Sequence, residues 1–173
     1  MNLVVGAPLW LVLLLVVALA VAAIEDAVRL RISNLTCLVV IVCAIAAVAL
    51  EGFQPALWQN AAVFILVLML GTAAFAAGVL GGGDVKLLAG LGLWVNFSGA
   101  MALVAAVFLA GGLVALLYLA TRAMRRATDW KSRRVPYGIA IAIGAIFVFG
   151  LQRGHLPGQP RPLPPIKILL RHH

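Results

Sequence analysis

Residues 3–24 read LVVGAPLWLVLLLVVALAVAAI, an apolar stretch without a charge that ends at Glu25-Asp26. As a helix rising 1.5 Å per residue it spans about 33 Å, enough to cross the hydrocarbon core of a bilayer. Ala20-Val21-Ala22 has the small residues of a signal-peptide cleavage site. No Lys or Arg precedes the run, however, so it reads as a retained span rather than a signal peptide.

The pattern repeats along the chain. Further apolar stretches lie at about Leu35–Leu50, Leu57–Leu80, Val85–Val95, Gly99–Thr121 and Val135–Leu151, making six candidate spans in all. The fourth, at about 11 to 14 residues, is short for a crossing; it must tilt, sit beside a local thinning or be re-entrant. Composition agrees: 65% of the 173 residues are hydrophobic and 10% charged, against roughly 25% charged in soluble domains. Too little polar surface exists to coat a water-soluble fold of this length, whereas a bilayer solvates apolar helix faces directly. The expected fold is therefore all-α, a polytopic integral membrane bundle of about six transmembrane helices surrounded by lipid. Residues 1–151 form one membrane-embedded domain. Residues 152–173, rich in Pro and Arg, are expected to be a flexible basic tail.

Thirteen Lys and Arg against five Asp and Glu give a net charge of +8. The basic residues fall in short clusters between apolar stretches with no aromatic interleaving, which points to membrane topology rather than to nucleic acid. With six crossings, Arg29, Arg31, Lys86, Arg122, Arg125, Arg126, Lys131, Arg133 and Arg134 share one side, and the connections Glu51–Asn60 and Asn96–Ser98 on the other side carry none. The positive-inside rule then makes the first side cytoplasmic and puts the N-terminus and tail outside. Arg153, Arg161, Lys167 and Arg171 in the tail weaken that count without reversing it.

Acidic residues are few and gather at the boundary. Glu25, Asp26 and Asp84 stand where apolar stretches meet the basic side, Asp129 lies in the basic loop and Glu51 is opposite. A carboxylate at such a boundary costs free energy unless it faces water, a partner or a cavity, so each is a functional candidate. The sharpest local pattern is Gly81-Gly82-Gly83-Asp84-Val85-Lys86. Three residues without Cβ permit positive φ, a helix break and close approach of another backbone, such as an extended peptide, to Asp84; a flexible turn is the plainer alternative. Asp26 ends another span at similar depth. Two aspartates at one water-filled site share a proton, one acting as base on a water while the other, protonated, polarises a carbonyl. The plainer role for Asp26 is counter-ion to Arg29 or Arg31.

Other chemistry finds no residues. His155, His172 and His173 all lie in the tail, so neither a His-based triad nor an HExxH site can be assembled. Gly81–Gly83 is not followed by GK[ST], so there is no P-loop. Cys37 and Cys43 form no CxxC pair and read as small packing residues, and neither a metal nor another cofactor is expected.

Three patches together resemble the type IV prepilin peptidase family of GxGD membrane aspartic proteases, in particular its short TadV/CpaA-like branch. The GxGD motif stands as Gly81 to Asp84 with Lys86 following, continued by Leu87-Leu88-Ala89 and Gly92-Leu93-Trp94. The first-aspartate region runs from Asp26 through Arg31-Ile32-Ser33-Asn34, with Ser33 where the family commonly has Pro and Val28 where a basic residue is common. Pro136-Tyr137-Gly138 is similar to the family's entry into its last span. The resemblance implies cleavage of the leader from pilin precursors at the cytoplasmic membrane face of a bacterial inner membrane, with Asp26 and Asp84 as the catalytic pair. A prepilin with a hydrophobic N-terminal helix is the implied partner. The cysteine-rich domain of larger, N-methylating members has no counterpart here, so a peptidase alone is expected. Ser33 is expected to loosen the start of the second span. Among supporting residues, Lys86, Arg29 and Arg31 read as topological anchors, Asn34 as a helix cap, and Tyr137 as either a site residue or an interfacial aromatic. Different classes of function remain in view: a small proton-coupled transporter, with carboxylates nearer the midplane and repeat symmetry, or a non-catalytic assembly factor.

Overall fold

The computed structural model describes residues 1–124 and 137–154. The basic loop with Asp129 and Pro136, and the tail from His155, lie outside the described residues. Helix α1 (Leu3–Gly6) is followed by α2 (Leu9–Arg29), α3 (Asn34–Glu51), a 3-10 turn at Pro55–Leu57, α4 (Trp58–Ala76), α5 (Gly82–Gly92), α6 (Phe97–Met124) and α7 (Tyr137–Gly154). No strand occurs among the described residues, and five of the helices are long and apolar enough to cross a membrane.

The first apolar stretch is two helices rather than one. Pro8 lacks an N–H, and its carbonyl accepts from Leu11 and Val12 instead, so the chain ends α1 and restarts. At the other end α2 continues past Glu25 and Asp26 to Arg29 and closes on Leu30 in the left-handed conformation, φ 51°. The third stretch stops at Ala76, short of Leu80. A Schellman motif ends it: Gly78, at φ 73°, donates to the Phe75 carbonyl, and Val79 donates to that of Ala74. In turn α7 runs three residues beyond Leu151, to Gly154.

The helices alternate in direction. Antiparallel α4 and α5 set Gly71 against Val85 and Gly92 against Val63 and Phe64. The short α5, about 17 Å long, thus travels beside most of α4. Its following turn completes the passage: the Leu93 carbonyl accepts from Asn60 Nδ2 at 2.8 Å and that of Trp94 from Leu3 N–H at 2.9 Å. At α6 and α7, Gly99 lies beside Gln152, Gly144 against the backbone of Val107, and Gly111 beside Ala140 and Tyr137. From Gly111, α6 still has 13 residues to run to Met124, about 20 Å past that level.

Lipid is as apolar as leucine, so these helices associate through close packing and buried hydrogen bonds rather than by escaping solvent. Small residues carry the tightest contacts. A Cβ on Gly144 would stand 2.8 Å from the Val107 nitrogen, and one on Gly92 3.0 Å from Val63. Around them, Leu15 and Leu19 of α2, Val40 and Ala44 of α3, Leu87 and Leu91 of α5 and Ala145 of α7 form one core. Trp94 is fully buried and its Nε1–H donates to the Val40 carbonyl at 3.2 Å. Cys37 and Cys43 are buried free thiols, packing residues as expected. Long apolar side chains face outward on α2, α4 and α6, among them Leu14, Leu70 and Phe108, where a bilayer would solvate them. The chain is a multi-pass membrane bundle.

Candidate active site

Asp26 lies in the last turn of α2 and Asp84 in the first turn of α5. The structure brings both to one cavity of about 650 Å³ at one end of the bundle. Both are buried, at 4% and 9% exposure, so neither carboxyl is a surface group.

Asp26 is held by the start of α7. Gly138 N–H donates to Asp26 Oδ2 at 2.6 Å, from the helix end where unpaired donors and the macrodipole favour an anion. This contact requires glycine: a Cβ on Gly138 would stand 2.8 Å from Asp26 Cβ and 2.9 Å from its Oδ2. No ion pair of Asp26 with Arg29 or Arg31 forms, so the counter-ion role is not what the structure shows.

Asp84 is the third residue of α5 and reaches back to its N-cap, accepting from Gly81 N–H at 3.2 Å. That is the returning half of a capping box, the glycine having no side chain to supply the other half. Asp84 Oδ1 is buried without a hydrogen-bond partner. The preceding glycines do not use positive φ; Gly81 sits at φ −77°. Their value here is close approach, and the backbone that approaches Gly83 is the chain's own: a Cβ there would lie 3.1 Å from the Ile32 carbonyl oxygen. Gly82 is less confined, since a Cβ there would only touch the Phe75 ring at an ordinary 3.4 Å.

The supporting residues partly rearrange. Lys86 and Asn34, read separately from sequence as anchor and cap, meet: Lys86 Nζ donates to Asn34 Oδ1 at 2.8 Å. The cap of α3 is instead Ser33, whose Oγ accepts from Thr36 N–H at 3.1 Å. Ser33 therefore secures the helix start rather than loosening it. Arg31 and Tyr137 line the cavity together with Lys86, whereas Pro136 lies outside the described residues.

Sequence reasoning missed two contributors. Phe75 and Gly78 to Leu80, at the end of α4, form a wall of the cavity; the glycine two residues after the helix was the signal for that stop. Glu25, a boundary acid for which the sequence offered no partner, accepts hydrogen bonds from Ser33 N–H and Thr36 Oγ1, both at 2.9 Å. Ser33 before an apolar run was readable as an N-cap; its link to Glu25 was not. No group of metal-binding side chains occurs among the described residues.

Comparison with curated proteins and with solved structures gives no match. One family model does match, over residues 13–119, a range that contains α3, α4, α5 and nearly all of α2, with both cavity aspartates inside it. The aspartates and all of the cavity lining except Tyr137 thus fall within the stretch whose sequence carries the family likeness, and on that match the chain belongs to the type IV leader peptidase family.

Proposed function

We propose that this protein is a membrane aspartic endopeptidase that removes the leader peptide of Flp-type type IV prepilins at the cytoplasmic face of the bacterial inner membrane. The observation that carries the reading is the convergence of Asp26 and Asp84 on one cavity. Family membership supports leader peptidase chemistry in general. The cytoplasmic assignment rests on the basic residues that the sequence concentrates at the aspartate end.

In this reading the two carboxyl groups share one proton. Asp26, whose Oδ2 is tied to a backbone N–H, is the ionised base that takes a proton from the attacking water. Asp84, with Oδ1 unpartnered, carries the proton that polarises the scissile carbonyl and later passes to the leaving amine. An extended leader segment lies in the cavity while the following hydrophobic helix of the prepilin stays in lipid. A shared proton makes activity fall at both acid and alkaline pH, as a bell.

Co-expression with a prepilin tests this. Asp26→Asn and Asp84→Asn should each lower leader removal by at least about 1000-fold while accumulating in membranes like wild type. Cleavage by either variant at the wild-type rate would end the two-aspartate mechanism. Labelling of a cysteine at position 84 from the periplasmic side alone would overturn the orientation.

A further inference from the structure

Glu25 is a partly buried acid that the chemistry above leaves unused. It adjoins Asp26 on α2, and about 100° of helical turn separates the two side chains. Asp26 faces the start of α7; Glu25 faces the start of α3. Its Oε2 accepts from both Ser33 N–H and Thr36 Oγ1. Because the Thr36 hydroxyl proton is committed to Glu25, Ser33 Oγ donates to Thr36 Oγ1 at 3.1 Å, and it accepts from Thr36 N–H in return. One carboxylate oxygen thereby joins the last turn of α2 to the first turn of α3.

Between those helices runs a tight turn that begins with Leu30 in the left-handed region, a conformation disfavoured for a residue with a Cβ. The turn presents Ile32, which is buried. Its backbone nitrogen and oxygen lie 3.2 and 3.1 Å from where a Cβ on Gly83 would stand, and its Cδ1 lies 2.9 Å from where a Cβ on Gly138 would stand. Ile32 is therefore wedged between the glycine that precedes Asp84 and the glycine that donates to Asp26.

We propose that Glu25 is a positioning residue: through Ser33 and Thr36 it locks Ile32 between Gly83 and Gly138 and so sets the spacing of the Asp26 and Asp84 carboxyl groups. The kinetic consequence rests on the two-aspartate reading; the structural one does not.

The test uses the full chain in lipid nanodiscs as wild type, Glu25→Gln, Glu25→Ala, Thr36→Val and the Glu25→Ala/Thr36→Val double variant. Gln keeps a carbonyl oxygen that accepts both hydrogen bonds without the charge, and Ala removes it. Hydrogen exchange at residues 30–36 and at Gly138 should be at least about tenfold faster in Glu25→Ala than in wild type and restored by Gln. With a prepilin as substrate, Glu25→Ala should lower kcat about tenfold with KM within about twofold, because misplacement acts on the chemical step. The bell-shaped pH profile of kcat should shift as well, since carboxyl spacing sets the coupling of the pair. Thr36→Val should cost little further on top of Glu25→Ala, the signature of two residues acting as one.

Unchanged exchange in Glu25→Ala overturns the proposal, as do a Gln variant as impaired as Ala, an effect on KM alone, or additive single effects. Should Glu25→Ala fail to accumulate, Thr36→Val reports the same lock by exchange at Ser33 and Gly138. A wild type that leaves the prepilin uncut, while Glu25→Ala still frees the Gly138 amide, sinks the peptidase reading and supports the lock.

Discussion

Two carboxyl groups at opposite ends of the bundle, buried Asp84 and half-buried Glu51, share a peculiarity and differ in everything around it. Each has one buried oxygen without a hydrogen-bond partner, and each lies beside a glycine, Gly81 and Gly6 respectively. Around Asp84 the chain opens a cavity with a second carboxyl group and two cationic side chains, Arg31 and Lys86. Around Glu51 the polar groups are spent on tying elements together. There, Asn2 Nδ2 donates to Gln152 at 2.8 Å, Arg153 to the Ala7 carbonyl at 2.8 Å, and the Met1 ammonium to Asn60 at 3.2 Å. The nearby hollow of about 200 Å³ is lined by apolar side chains such as Ile45 and Phe53, with Asn60. The two acids thus differ in that Asp84 shares an open space with a second acid and Glu51 does not.

The sharpest way to break this contrast is to neutralise both acids. Asp84→Asn should abolish leader removal, whereas Glu51→Gln should keep it within about twofold of wild type, read as the ratio of processed to unprocessed prepilin. Equal loss in both would mean that Glu51 shares the chemistry. Next in size is Gly138→Ala. The added methyl must push the start of α7 off Asp26, and a fall of about 100-fold in kcat is expected, with membrane accumulation retained.

A smaller effect sharpens the picture at the cavity wall. Lys86→Met and Asn34→Ala should each slow cleavage about fivefold to tenfold, and the double variant no more than either alone, as a hydrogen-bonded pair requires. Additive losses would show that Lys86 acts on substrate directly. Smallest is Gly6→Ala, where the clash is with the flexible end of Glu51. Thermal unfolding in detergent should register less than about 1 kcal/mol, with activity unchanged; a large loss would show that the opposite end is as tightly specified as the aspartate end.

Hydropathy made the bundle legible because each long helix must be apolar wherever lipid touches it. It misplaced the ends for physical reasons. A span read by hydropathy stops at the first charge, but backbone hydrogen bonding is indifferent to side-chain charge, so α2 carries Glu25 and Asp26 inside its last turn. Pro8 breaks the first helix without interrupting the apolar run, so hydropathy does not register it. At the site, the identities of Asp26, Asp84 and the glycines could be read locally. Their partners could not, because Gly138 meets Asp26 across 112 residues and Lys86 meets Asn34 across 52. Such meetings depend on how helices pack, and no spacing in the chain encodes them.

The overhang of α6 past the start of α7 bears on the shape of the membrane itself. Leu113, Leu116, Leu117 and Leu119 on that overhang are all exposed, at 57–63%, and need hydrocarbon beside them. The aspartates, level with the start of α7, need water. Both demands are met if the bilayer surface steps down around the cavity while lipid climbs the flank of α6. On the function proposed above, a substrate helix sliding in along that flank would stay solvated by lipid until its end crossed the step, and it would meet water and the two acids together.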